Sequence, residues 1–130
     1  MRRDFDVPPS VDLTDTCLAG ANLRGANLRN VNFYRSNLSH TIFDGAHTDG
    51  GPVNFESVSI GYANFADADL RGAVFRNANV ILSKIIKTDL SGVIFEHSKV
   101  VGVILSLSNV RGSLYIIATS AGPTLAQYRP

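Results

Sequence analysis

The sequence of 130 residues has one cysteine, one methionine and no tryptophan, and its charges nearly cancel. Because Cys17 is alone, the chain can form no intrachain disulfide, which is typical of proteins from reducing compartments. The net charge of +1 at pH 7 argues against a broad attraction to nucleic acid or to anionic membranes. No apolar run follows Arg2 and Arg3, so neither a signal peptide nor a membrane span is predicted. Together these absences predict a cytoplasmic protein.

The sequence does contain a regular five-residue period. A large apolar residue, here called the central residue, recurs at every fifth position, and Ala, Ser, Thr or Val stands two positions before it. We call these smaller residues the inner residues. The central residues are Leu13, Leu18, Leu23, Leu28, Phe33, Leu38, Phe43, and then Phe55, Ile60, Phe65, Leu70, Phe75, Val80, Ile85, Leu90, Phe95, Val100, Leu105, Val110 and Tyr115.

A five-residue period fits neither of the common elements. On an α-helix at about 100° per residue, five residues rotate a side chain by roughly 140°, so the central residues would scatter around every face. On a straight strand an odd period would send every second central residue into water. If the backbone instead turns a corner within each unit, all central residues point toward one axis. The period therefore predicts a chain that coils around its own core.

The spacing of the phenylalanines indicates four units in each coil. One column comprises Phe33, Phe55, Phe75 and Phe95 followed by Tyr115, and a second comprises Phe43 and Phe65. Most steps in these columns are 20 residues, but the steps across residues 44–54 are 22. We therefore predict a two-residue insertion, most simply Gly51 and Pro52, after a degenerate unit that contains Ala46 and Thr48. A seven-residue loop that replaces one unit is the alternative, although it would break both aromatic columns.

Units such as ANLRG, ANLRN, ANFAD and ADLRG resemble the A(N/D)Lxx repeats of the pentapeptide-repeat family. The resemblance covers about residues 11–117. It implies an all-β fold, a right-handed, four-sided β-helix, and the repeat count gives about five coils. We expect a single domain over residues 1–130, in which the segments 1–10 and 118–130 cap the open ends of the β-helix.

Apolar residues also occupy outward positions toward the C-terminus. These residues are Val74, Ile81, Ile86, Ile94, Val101, Ile104, Leu107, Leu114 and Ile116. Contiguous apolar surface usually marks an interface, so we predict that the C-terminal third binds a protein partner or forms a homodimer. The alternative is that the C-terminal tail folds back over this surface.

Charged residues form two further columns along the predicted rod. One column is Glu56, Arg76 and Glu96, and the other is Arg29, Asp49, Arg71, Ser91 and Arg111. The first column is interpreted as a structural ladder of opposite charges. The second has a slight basic excess but no exposed aromatic residues between its charges, so nucleic acid is not an expected partner.

Residues that could carry catalysis do not converge in this register. His40, His47 and His97 fall in different columns, and the sequence has neither a cysteine pair nor an HExxH motif. Cys17 is predicted to face outward in the first coil with no neighbouring base. A β-helix filled by its own side chains leaves no room for a substrate. We therefore expect no catalytic residue, no metal and no cofactor, and we predict that the protein is not an enzyme.

Two functions remain for such a rod. The first is a non-catalytic structural or interaction module whose specific role the sequence leaves open. The second follows only from the resemblance, because some pentapeptide-repeat proteins mimic DNA, occupy the type II topoisomerase gyrase and confer quinolone resistance. Mimicry of this kind needs a strongly acidic surface, whereas 11 acidic residues here face 12 basic ones. Gyrase is a partner only under this second interpretation.

Overall fold

The computed structural model describes residues 11–103, 108–109 and 111–112, and over these residues the backbone winds as a β-helix. Parallel β-bridges join each side of one coil to the same side of the next, as between Asp12 and Asn32 or between Val74 and Ile94. Each side of a coil contributes a bridged pair to a parallel ladder that runs along the axis, and the described residues contain no helix. No helix that could cross a membrane occurs in these ranges.

The β-helix has four walls, which we number in chain order from the first phenylalanine column. Wall 1 carries Phe33, Phe55, Phe75 and Phe95, wall 2 carries Leu38, Ile60 and Val80, wall 3 carries Phe43, Phe65 and Ile85, and wall 4 carries Leu28, Leu70 and Leu90. From Leu28 to Val100 the central residues are at most 3% exposed. The core is therefore a column of apolar central side chains along the axis, which Thr48 interrupts on wall 4.

The β-bridges also define the register between coils. Most of them join residues 20 positions apart, but those that span residues 48–53 join residues 22 apart, as between Asn32 and Asn54. In the loop between these coils, the Gly51 N–H donates to the Thr48 carbonyl oxygen at 2.9 Å, and the Asn30 N–H donates to the Gly51 carbonyl oxygen at 3.0 Å. The first bond closes the loop and the second joins it to the preceding coil, so the walls on either side of the loop stay aligned.

The phenylalanine rings pack both along and between walls. On wall 1 the ring centroids of Phe33 and Phe55 are 5.3 Å apart, and those of Phe55 and Phe75 are 4.7 Å apart. On wall 3 the rings of Phe43 and Phe65 stack at 4.7 Å. Edge-to-face contacts join the two columns, with the Phe43 and Phe55 centroids 5.8 Å apart. Such contacts add to the free energy of area burial, so the two walls stabilise each other.

Serine and threonine at inner positions have buried hydroxyls that find partners in the preceding coil. The hydroxyls of Ser36, Ser83 and Thr88 donate to carbonyl oxygens 23 residues earlier in the chain, at 2.6–2.8 Å. Because the acceptor is the main chain of a central residue, every inner position can place a hydroxyl in the same way. Polar inner residues are therefore compatible with the core.

The corners require left-handed backbone at the residue that lies two positions after the central residue. Glycine takes this place at several corners, but 12 non-glycine residues of the described chain also have positive φ, between 49° and 61°. At Gly92, where φ is +69°, an added Cβ would approach nothing closer than 3.9 Å. Backbone strain alone should therefore determine the effect of a side chain there.

We predict that Gly92→Ala lowers the free energy of unfolding by about 1 kcal/mol, because an L-residue at positive φ is strained. Urea denaturation followed by circular dichroism would measure the change. The matched control is Asn77→Gly at an equivalent corner, where φ is 55°. This control should not lower stability, and an equal loss in both variants would contradict the strain argument.

Candidate interaction surface

Five of the nine predicted interface residues are described, and all five are half-buried. They are Val74, Ile81, Ile86, Ile94 and Val101. Ile81 is sheltered because it lies over Gly61, where an added Cβ would come within 3.1 Å of its Cγ1 atom. Ile104, Leu107, Leu114 and Ile116 lie outside the described residues. The interface through these nine residues stays a prediction.

Three other large apolar side chains of the described residues are exposed, and the sequence reasoning missed them: Val11 in the first coil, which is 46% exposed, Tyr62 and Leu82. Tyr62 and Leu82 are 55% and 47% exposed, and they lie at the corner between walls 2 and 3 in successive coils. His40 precedes Tyr62 in the same column, and its ring stacks on the tyrosine ring with centroids 4.9 Å apart. We call His40, Tyr62 and Leu82 the exposed ridge. The signal in the sequence was the corner column itself, which reads Gly20, His40, Tyr62, Leu82 and Gly102.

The backbone of the exposed ridge is left-handed throughout. The φ angles are 61° at His40, 60° at Tyr62 and 56° at Leu82, a region in which glycine and asparagine are better tolerated. Each such residue costs about 1–2 kcal/mol relative to ordinary backbone. Other corners of the described chain share this backbone, so the feature that sets Tyr62 and Leu82 apart is the exposure of large apolar side chains, which is typical of functional surface.

Three unpaired lysines lie on walls 2 and 3, the two walls that meet at the exposed ridge. Lys84, Lys87 and Lys99 are exposed, and no carboxylate oxygen of the described residues lies within 4.0 Å of their ammonium nitrogens. They are the only lysines in the sequence. Several arginines, by contrast, are paired on the other walls, as Arg35 is with Asp15 at 2.7 Å. Among the described residues, all lysine charge therefore lies on walls 2 and 3.

Wall 4 carries the densest group of ion pairs. The Arg71 guanidinium contacts Asp69 at 2.6 Å and Asp89 at 4.0 Å, and the hydrogen bond from Arg71 lowers the pKa of Asp69 below its ordinary value. On the same wall His47 Nδ1 lies 3.0 Å from Asp49 Oδ1. The described residues of this wall include three arginines and three aspartates, so the wall offers little net charge to a partner.

We predict that Asp69→Asn lowers the free energy of unfolding at pH 7 by a few tenths to about 1 kcal/mol, since the pair is screened by solvent. The pKa of Asp69 is lowered in the folded state, so its contribution is complete above the ordinary value of 3.8 and disappears as the pH falls through the lowered value. Urea denaturation at neutral and strongly acid pH should show a difference between wild type and variant only at neutral pH. Asp67→Asn, at an exposed residue without a described ion pair, is the control and should change stability at neither pH.

The remaining sequence candidates lie apart from one another. Cys17 is an exposed free thiol, and its nearest polar contact is Asn37 Nδ2 at 4.0 Å from its sulfur. His97 occupies an exposed corner of wall 1, away from both His40 and His47. In the part of the chain that the structure describes, no three metal-ligating side chains come together. The structure thus offers a surface for binding as its candidate site.

Similarity to known proteins agrees with this fold. The family model described as pentapeptide repeats matches residues 10–46 and 53–96 in eight copies, with its gap at the loop where the register changes. HetL, a pentapeptide repeat protein involved in heterocyst differentiation regulation from the cyanobacterium Nostoc sp., has a similar structure, with a TM-score of 0.76 at 22% identity. That match covers 80% of this chain and 43% of HetL, so this chain spans less than half of HetL.

A second similar structure is that of Rfr23, a pentapeptide repeat protein from the cyanobacterium Cyanothece. Its TM-score is 0.63 at 24% identity, and the match covers 80% of each chain. No curated protein matches the sequence. At these identities the two neighbours show the fold alone, which is the right-handed, four-sided β-helix of pentapeptide-repeat proteins.

Proposed function

The chain belongs to the pentapeptide-repeat family, and from this premise we propose that it is a non-catalytic module that binds another protein. The observation that carries the proposal is the exposed ridge, where Tyr62 and Leu82 present apolar surface on left-handed backbone. The core is occupied by central and inner side chains, so the outer walls are the part of the rod that can meet a partner. The rod would have about five coils, with Gly51 and Pro52 as the two inserted residues.

Binding to a partner would explain why Tyr62 and Leu82 occupy a corner where glycine would be more stable. Glycine occupies the same corner column at Gly20 and Gly102, which shows that the fold accepts the least strained residue there. Tyr62 and Leu82 instead combine backbone strain with exposure of apolar surface. Burial of both side chains against a partner would offset the strain, since a fully buried residue of this size contributes about 1.5–3 kcal/mol.

A second copy of the chain is the other partner that we propose, through the apolar outward residues of the C-terminal third. The half-buried Val74 and Ile94 are bridged neighbours on wall 1 and leave part of their surface open to a partner. Light scattering at high concentration should then report a dimer that Ile94→Glu converts to a monomer. A monomeric wild-type protein would exclude this homodimer and leave binding to another protein as the proposed function.

The charges of the described surface do not favour the DNA-mimic function. Arginines contact several of the described carboxylates, as at Asp15, Asp69 and Glu96, which lowers the acidic potential that such mimicry requires.

Affinity capture from the source lysate tests the module itself. The wild-type protein should retain a partner that is lost with the double variant Tyr62→Ser and Leu82→Asn. The control variant is His97→Asn. His97 is exposed at a corner of wall 1, where φ is 58°, and this variant should still retain the partner. Failure of the wild-type protein to retain any partner would contradict the proposed function. Equal retention by the wild type, the double variant and His97→Asn would show that the binding site is not the exposed ridge.

A further inference from the structure

We infer that the corner between walls 2 and 3 docks an acidic polypeptide segment that also carries apolar side chains. The inference rests on the proposed function and names the chemistry of its partner. It combines the exposed ridge with the unpaired lysines of the two adjoining walls. Lys84 lies on wall 3 in the coil of Leu82, Lys99 lies on wall 2 in the next coil, and Lys87 lies at the far corner of wall 3. Apolar contact would supply the centre of the interface, and the lysines its charged rim.

The distribution of acidic residues gives the expected sign of the partner. Of the nine described carboxylates, seven lie on walls 1 and 4, and wall 2 has none. Wall 3 has Asp44, which lies 3.9 Å from Arg24, and Asp67, which lies one coil before Lys87 in the same column. The corner around Leu82 is therefore positive although the whole chain is almost neutral. A partner of complementary charge would be steered to this corner and held in one orientation.

The apolar part of the corner extends along three coils. Tyr62 and Leu82 are exposed, and the half-buried Ile81 and Val101 lie next to Leu82 on the same side of the corner. Leu82 leans over Gly102, where an added Cβ would come within 2.6 Å of its Cδ2 atom. The exposed ridge therefore ends at Leu82, because residue 102 has no side chain. An extended segment can lie against Leu82 and reach Lys99 without an obstacle at Gly102.

The chemistry of the corner favours a polypeptide over a nucleic acid. Its cations are lysines, which act as point charges and lack the fork that arginine offers to phosphates and to base edges. One face of the Tyr62 ring is covered by His40, at a centroid distance of 4.9 Å, and is therefore not available for stacking on a base. Leu82, Ile81 and Val101 are branched aliphatic side chains that suit the apolar side chains of a polypeptide better than phosphates.

Fluorescence anisotropy with synthetic probes tests the docking. The probes are a short labelled peptide that combines glutamate with leucine and phenylalanine, the same peptide with lysine for glutamate, the same peptide with serine for the apolar residues, and a single-stranded oligonucleotide. Only the first peptide should bind, and its affinity should fall as salt is added. Absence of binding by this peptide, or tighter binding of the oligonucleotide, would overturn the inference.

Two matched variants assign the binding to the corner. Lys99→Glu should weaken binding of the acidic apolar peptide about tenfold, because a neighbouring attraction becomes a repulsion. Arg111→Glu makes the same change of charge at an exposed residue of wall 4 and should leave the affinity unchanged. Equal effects of the two variants would refute a local docking site.

The same experiment separates the inference from the proposed function. Leu82→Asn suits the left-handed backbone and should still fold, yet it should weaken the first peptide's binding several-fold. If the peptide fails to bind while the lysate capture still depends on Tyr62 and Leu82, the acidic chemistry is wrong and the interaction module stands. If both fail, the proposed function fails with it.

Discussion

Replacement of Phe55 by alanine is expected to lower the free energy of unfolding by about 3–5 kcal/mol, the usual range for a buried phenylalanine. Phe55 is fully buried and contacts four other rings. Its centroid lies 5.3 Å from Phe33 and 4.7 Å from Phe75 along wall 1, and 5.8 Å from Phe43 and 6.3 Å from Phe65 on wall 3. Truncation would leave a cavity at the junction of the two aromatic columns.

Phe55→Leu is the matched control, because it keeps most of the apolar volume and should cost less than about 1.5 kcal/mol. Urea denaturation followed by circular dichroism gives both values. A Phe55→Ala variant no less stable than Phe55→Leu would show that the column can collapse around the gap, and that the ring contacts contribute little.

The core could be predicted from the sequence because its constraint is repeated in every unit. In every unit a central residue and an inner residue must both fit inside the β-helix. One unit that departs from this pattern is therefore easy to recognise among many regular units. The spacing of Phe55, Phe75 and Phe95 also carries the number of units per coil, since residues stacked in adjacent coils are 20 apart. Chain geometry thus leaves few other arrangements for these residues.

The outer surface could be predicted less well because outward positions have no shared packing requirement. The column of Glu56, Arg76 and Glu96 predicted a continuous ladder, but Arg76 pairs with Glu96 at 2.9 Å and, among the described residues, with no other carboxylate. Arg71 bonds most closely to Asp69 of its own unit rather than to its column neighbours. Side chains on the surface choose among several close partners, and the period does not rank them.

The exposed ridge was also difficult to predict from the sequence. The five-residue pattern marks Tyr62 and Leu82 as outward, but it does not distinguish a side chain that folds onto the wall, as Ile81 does over Gly61, from one that stays in water. A glycine one coil away does not decide the matter either, because Leu82 leans over Gly102 and is still exposed. The predicted caps, residues 1–10 and 118–130, lie outside the described residues.

Thr48 is the central residue of the degenerate unit, and it is the polar exception in the column of wall 4. It is fully buried between Leu28 and Leu70 of the adjacent coils. No hydrogen-bond partner for its hydroxyl oxygen exists among the described residues. Thr88, at an inner position, instead donates its hydroxyl to the Phe65 carbonyl oxygen at 2.6 Å. The difference arises because a central side chain points to the axis, away from the carbonyl groups of the walls.

Thr48→Val should therefore raise the free energy of unfolding by about 1–3 kcal/mol, because it removes an unpaired buried hydroxyl while the shape is kept. The matched control is Thr88→Val, which removes a satisfied hydroxyl and should lower stability by about 1 kcal/mol. Opposite signs from the same chemical change would establish that position in the unit, rather than threonine itself, decides the cost of polarity in this core. A loss of stability in Thr48→Val would mean that its hydroxyl has a partner after all, and that the degenerate unit is held by a hydrogen bond.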